Sequence, residues 1–286
     1  MAIYTSRLPT PGSRLPATIT CPDGERSRRH LDGVLEAART ASYQNPTGPI
    51  GVPVLLAPGG ASQRSMPADS PASVASANME LSEVLRCRKM VRSFSGLPVP
   101  GEVLERVLGA AQRAPSAGNT SGWDAVVLEG PAQTGAFWDA TTTADWRARS
   151  RRWPGLVLAP VVICVFTNPG AYVQRYGEDD KATSGLGPPG SGRGGGLEAW
   201  PAPFWYVDAG FAVLLMLLAA VDAGLGACFL GNFRGETELA STLGVPRDRR
   251  YLGAVLLGEP GVEDPPSRSI SRERRAASEL VHRGRF

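Results

Sequence analysis

From residue 79 onward, apolar and polar positions fall into regular periods. Met79 to Arg88 places Leu81, Val84 and Leu85 on one side of a predicted helix. Glu102 to Arg113 predicts a clearer one, with Val103, Leu104, Val107, Leu108 and Ala111 at helical spacing behind Pro100. Trp123 to Leu128 reads as a strand ended by Gly130-Pro131, and Pro131 to Thr141 and Ala144 to Arg152 read as helices. Val161 to Phe166 is an unbroken apolar, β-branched run, the pattern of a strand covered on both faces. Ser184 to Gly196 carries seven glycines and two prolines and predicts a flexible loop. Phe204 to Asp222 is apolar on nearly all faces, which predicts a long helix buried in a core or at a subunit interface and closed by Gly224. Ala227 to Leu230 and Tyr251 to Leu257 read as strands and Glu236 to Leu243 as a helix, so strands and helices interleave with about three strands in the core.

The first 78 residues show no such order. They hold ten of the 25 prolines and neither Trp nor Phe, with Tyr4 and Tyr43 as the aromatic residues. A stretch of this kind buries too little apolar surface to offset its ordering entropy. Residues 1–78 therefore read as a mostly disordered extension, with one short helix predicted from Arg28 to Tyr43, and 79–286 as the folded domain.

Composition narrows the function. A formal net charge of +3, without a basic stripe, argues against nucleic acid. The longest wholly apolar run, Ala209 to Val221 between Asp208 and Asp222, is shorter than the roughly 18–20 residues of a membrane span. Cys21, Cys87, Cys164 and Cys228 are widely spaced, which argues against a disulfide scaffold or a zinc site. With His30 and His282 as the two histidines, a His-based metal site or a Ser-His-Asp triad is not expected. No metal is expected, and the absence of an apolar leader predicts a cytoplasmic location with buried, inert thiols.

Gly190-x-Gly192-x-x-Gly195 spells a dinucleotide fingerprint, but Pro188-Pro189 stand where its strand should be and no helix follows, so a Rossmann site is rejected. A second constellation is more informative. Arg88-Lys89-Met90-Val91-Arg92-x-Phe94 follows the first core helix, then come Ala114-Pro115-Ser116-Ala117-Gly118-Asn119 and, far downstream, Gly224-Leu225-Gly226 to Gly231, with Arg272-x-Arg274-Arg275 near the end. Taken singly, these are a helix end, a turn and a tight connection.

In this order the pieces resemble the nitroreductase family of flavin mononucleotide (FMN) enzymes, over roughly Glu80 to Phe286. Two departures stand out: Met90 where the family has Ser, and Ser121-Gly122 where it has Gln-Pro, which predicts a looser turn. The resemblance implies an α+β fold, a central mixed β-sheet sandwiched by helices with a long buried central helix. It implies a homodimer with the flavin between subunits. It also implies ping-pong hydride transfer from NADH or NADPH through flavin N5 to a small planar acceptor, a nitroaromatic or quinone, with no catalytic side chain. Dehalogenation, azoline oxidation, flavin fragmentation and a non-catalytic flavin-binding module stay open as alternatives on the same fold.

The residue types suit that cofactor. Arg88, Arg92 and Arg274, with Arg272 beside the last, are the expected phosphate cations, since guanidinium keeps its charge and binds phosphate bidentately. Lys89 is expected at the ribityl chain or the ring, and Met90 lies between these basic residues. Asn119 can both donate to and accept from the pyrimidine edge. Pro115, Ser116 and Ala117 are small enough to let a ring approach closely, and by resemblance the backbone at Leu230-Gly231 faces N5.

Overall fold

The structure, a computed structural model, describes residues 79–286 apart from Phe233. The 1–78 extension, including its expected helix, lies outside the described residues.

The chain begins with α1 (Leu81–Cys87) and α2 (Gly101–Ala111), then β1 (Trp123–Glu129), α3 (Gly130–Thr141), α4 (Ala144–Arg149) and α5 (Trp153–Leu156). β2 (Val161–Thr167), α6 (Pro169–Arg175) and α7 (Phe204–Asp222) follow, then β3 (Gly226–Leu230), α8 (Glu236–Thr242), β4 (Arg250–Gly258) and the short α9 (Ala277–Leu280). The strands form one four-stranded sheet in the order β1-β2-β4-β3, and every strand pair is antiparallel. The parallel component of the expected mixed sheet is a single bridge, Met90 to Ala227.

β2 sits inside this sheet with all seven residues buried. Alternation along it serves two cores. Val161, Ile163 and Val165 face α2 and α7, whereas Val162, Cys164 and Phe166 meet Phe137 and Trp138 of α3, Leu156 of α5 and Leu239 of α8. The result is three layers, with helices on both faces of the sheet.

α7 keeps its expected bounds. Ala209, Ala212, Val213, Met216 and Ala220 pack on the sheet and α2. By length and composition alone this helix could cross a membrane, yet it packs as the core helix of the domain. It ends in a Schellman motif: Gly224 N–H donates to Val221 O and Leu225 N–H to Ala220 O, with Gly224 at φ +74°.

Three local expectations change. The helix expected over Ala144 to Arg152 is broken at Ser150, which is extended (ψ 116°): Pro154, four residues on, has no N–H to give the Ser150 carbonyl and instead suits the first turn of a new helix, α5. In α1, Val84 and Cys87 pack toward Val221 of α7, while Leu81 and Leu85 are 65% and 57% exposed. The glycine-rich loop is folded on itself: Gly196 N–H donates to Gly187 O, Gly190 N–H to Gly194 O, and Trp200 Nε1 to Leu186 O. Its glycines make this possible, since a Cβ on Gly195, at φ +67°, would lie 1.9 Å from Pro188 O.

Candidate functional site

α1 stops at Arg88, and the chain runs extended beside β3. Val91 N–H donates to Ala227 O at 2.9 Å, and Phe229 N–H donates to Met90 Sδ at 3.4 Å. Gly226 allows this approach, because a Cβ there would lie 2.8 Å from Val91 Cγ1. The basic segment is thereby joined to the strand that leads to Leu230-Gly231. Arg88 is half-buried and Lys89 exposed, and neither forms an ion pair among the described residues. Gly231 has open space at its Cβ position, and the next residue, Asn232, holds a buried Nδ2 with no hydrogen-bond partner among the described residues.

Arg92 is turned inward. Its guanidinium donates to Met90 O, and its main-chain N–H donates to Asp264 Oδ1, each at 3.2 Å. Arg152 lies 3.7 Å from the same carboxylate and donates to Pro265 O and Pro266 O, latching the chain beyond β4 onto this segment. Burial pushes the nearby Cys228 thiol up to about 11, with Arg92 pulling the other way, and pushes Cys164 up to about 12. Both are free thiols that stay protonated at neutral pH, as expected of inert cysteines.

The second constellation sits before β1. Ala117–Asn119 forms a single tight turn with Gly118 at φ +62° and Asn119 at φ +56°. Ala117 N–H and the Tyr172 hydroxyl both donate to Oδ2 of Asp208, each at 2.8 Å. Ser121 N–H donates to Ser116 Oγ, and Arg175 Nε donates to Gly118 O. Asp208 is 2% exposed, and Tyr172 is wholly buried. Burial, reinforced by the Asp208 carboxylate, holds the Tyr172 phenol above its ordinary range, so it remains a donor. The Ser121-Gly122 departure does not loosen the turn: Gly122 lies flat against Tyr172, and a Cβ there would sit 2.3 Å from the ring. Asn119 and Pro115 are exposed, and Ser116 and Ala117 half-buried.

The expected residues thus fall into three groups. Arg88, Lys89, Met90 and Arg92 share the β3 side with Leu230 and Gly231. Pro115, Ser116, Ala117 and Asn119 stand beside β1, the opposite edge strand, about 14 Å away by strand spacing alone. Arg272 and Arg274 lie exposed on the C-terminal segment and form no ion pair among the described residues. Sequence reasoning missed Asp208, Tyr172 and Arg175. The available signal was a carboxylate near the start of a largely apolar helix. Among the described residues no cluster of His, Cys, Asp and Glu could hold a metal ion.

This architecture has known counterparts. An NADH dehydrogenase of Thermus thermophilus is 29% identical over 204 residues, covering 65% of this chain and 90% of the relative. A 5,6-dimethylbenzimidazole synthase of Rhodospirillum rubrum is 27% identical over 197 residues, covering 65% of this chain and 84% of its own. Among solved structures, B. megaterium NfrA2 superposes with a TM-score of 0.55 at 17% identity, covering 72% of this chain and 74% of that one. The sequence profile of the Nitroreductase family matches residues 85–184 and 198–259, and the gap between them is the glycine-rich segment. With more than half of the chain matched, from the end of α1 to the end of β4, the protein belongs to the Nitroreductase family and is an oxidoreductase.

Proposed function

We propose that this oxidoreductase binds FMN between the two subunits of a homodimer and passes hydride from NADH or NADPH to a small planar acceptor, a nitroaromatic or a quinone. The observation that carries the reading is the pairing of two cations that have no acidic partner among the described residues, Arg88 and Lys89, with open main chain at Gly231 beside an Asn232 amide unpaired among them. A phosphate dianion suits the first and a polar ring edge the second. The residues present therefore fit FMN. When bound, it supplies hydride acceptance and delivery at N5, chemistry that no described side chain provides.

In this reading Arg88 holds the phosphate and Lys89 reaches the ribityl chain or the ring. Arg92 joins them by swinging off Met90 O, and Arg272 and Arg274 are delivered by the exposed C-terminal segment. The main chain at Leu230-Gly231 donates toward N5, and Asn119 matches the pyrimidine edge. Pro115, Ser116 and Ala117 border the ring. The two edge-strand groups meet across a twofold axis. An apolar stripe on α7 supports that assembly: Val207, Phe211 and Leu214, at helical spacing, are 40%, 42% and 45% exposed, and Leu81 and Leu85 are exposed on α1. The cytoplasm, where both nicotinamide donors are regenerated, is the compartment assigned.

The test is a visible spectrum of purified protein, followed by anaerobic titration with NADPH and then NADH. Yellow protein that bleaches with either donor and recovers with a nitroaromatic supports the reading. Colourless protein that takes up no added FMN overturns it. The Rhodospirillum relative favours a second reading, flavin fragmentation. Its sign is a benzimidazole product instead of acceptor turnover.

A further inference from the structure

Asp208 is a buried carboxylate that α7 does not need for its own hydrogen bonding. Such a group is costly unless donors surround it, and its Oδ2 receives two, from Ala117 N–H and Tyr172 OH. The first of these fixes the start of the turn that carries Asn119. The middle of the same turn is held from outside. Arg175 Nε donates to Gly118 O at 2.8 Å, and its two terminal nitrogens engage both Asp180 oxygens at 2.6 and 2.8 Å. That fork fixes the guanidinium and leaves Nε for the carbonyl. Between the anchors two successive residues, Gly118 and Asn119, adopt left-handed geometry, which Gly and Asn tolerate best.

We propose that Asp208 and Arg175 are positioning residues that hold the Asn119 carboxamide in register for the flavin ring, Asp208 from the core and Arg175 from the surface. The inference rests on the FMN reading above. It assigns to a buried carboxylate near the start of an apolar helix, and to an arginine far in sequence from the basic motifs, a part in cofactor geometry. Neither residue touches the flavin; both act through the turn.

The experiment compares the full chain with its Asp208→Ala, Asp208→Asn and Arg175→Ala variants. Hydrogen–deuterium exchange of the 114–122 peptide in flavin-free protein reads the turn directly. FMN titration by fluorescence reads affinity, and visible circular dichroism of the saturated protein reads ring environment. Both alanine variants are expected to accelerate exchange and raise the FMN dissociation constant about tenfold each, with an altered visible dichroic band. Asp208→Asn keeps an acceptor oxygen and restores all three. Arg175 belongs to none of the hydrophobic clusters, so its alanine variant keeps the fold even if Asp208→Ala does not. Wild-type FMN affinity and an unchanged dichroic band in Arg175→Ala and in folded Asp208→Ala overturn the proposal while leaving the FMN reading intact. Wild-type protein that binds no FMN overturns both.

Discussion

The thioether of Met90 accepts a hydrogen bond from the main-chain N–H of Phe229 on the outer edge of β3. Sulfur at this point serves the strand, at a position where the resemblance leads one to expect a serine hydroxyl. Met90 also packs against both core clusters. Met90→Ser therefore separates two effects. Stability falls by about 2 kcal/mol through lost packing, read from the denaturant midpoint, while FMN affinity, read by fluorescence titration, rises.

Arg88 and Asn119 test convergence. Neither side chain has a protein partner among the described residues, so Arg88→Ala leaves the apoprotein melting temperature unchanged, whereas Asn119→Ala lowers it through about 1 kcal/mol of backbone strain, because alanine fits poorly at φ +56°. In the FMN reading each alanine variant lowers bound flavin, with a dissociation constant raised about tenfold or more. The Arg88 variant also loses part of the salt dependence of binding. Flavin content per mole of purified protein is the check.

The α7 stripe predicts assembly. Phe211→Asp places a charge at the centre of the exposed row Val207, Phe211, Leu214. Sedimentation should show wild-type dimer and variant monomer, and the monomer should release its FMN. A variant that stays dimeric and yellow removes α7 from the interface.

The buried thiols set an alkaline limit. Cys164 and Cys228 rise from 9.0 to about 12 and about 11 because burial disfavours their charged forms. Below pH 9 both states keep the proton, and the contribution to stability is constant. Above it the unfolded thiols ionise first, so stability falls as pH rises from about 9 toward 11–12. Urea midpoints at pH 7, 9 and 10.5 read the slope, and Cys164→Val with Cys228→Val reduces it.

The sheet and its covering helices were legible because their signals are local. α7 is apolar all round, and β2 is an unbroken buried run, so both were found at close to their bounds. α1 was misjudged because it is short and meets α7 along a narrow line; Val84 and Cys87 reach that line, and Leu81 and Leu85 do not. The candidate site was legible as residue types but not as geometry. Residue types single out Arg88 and Asn119 as candidates, but strand order sets them beside opposite edges of the sheet, and order is not written in any window of sequence. Asp208 was hidden for a related reason: a carboxylate bounding an apolar run reads as its edge until the N–H it accepts, 91 residues away, comes into view.

Its counterpart at the far end behaves alike. Asp222 Oδ1 accepts from Met79 N–H at 2.8 Å, just ahead of α1. The two carboxylates are fourteen residues apart on one rod, about 21 Å along its axis. α7 is thus a shaft with a tie at either end, and any roll of it turns the Asn119 bend and the chain just ahead of α1 through the same angle.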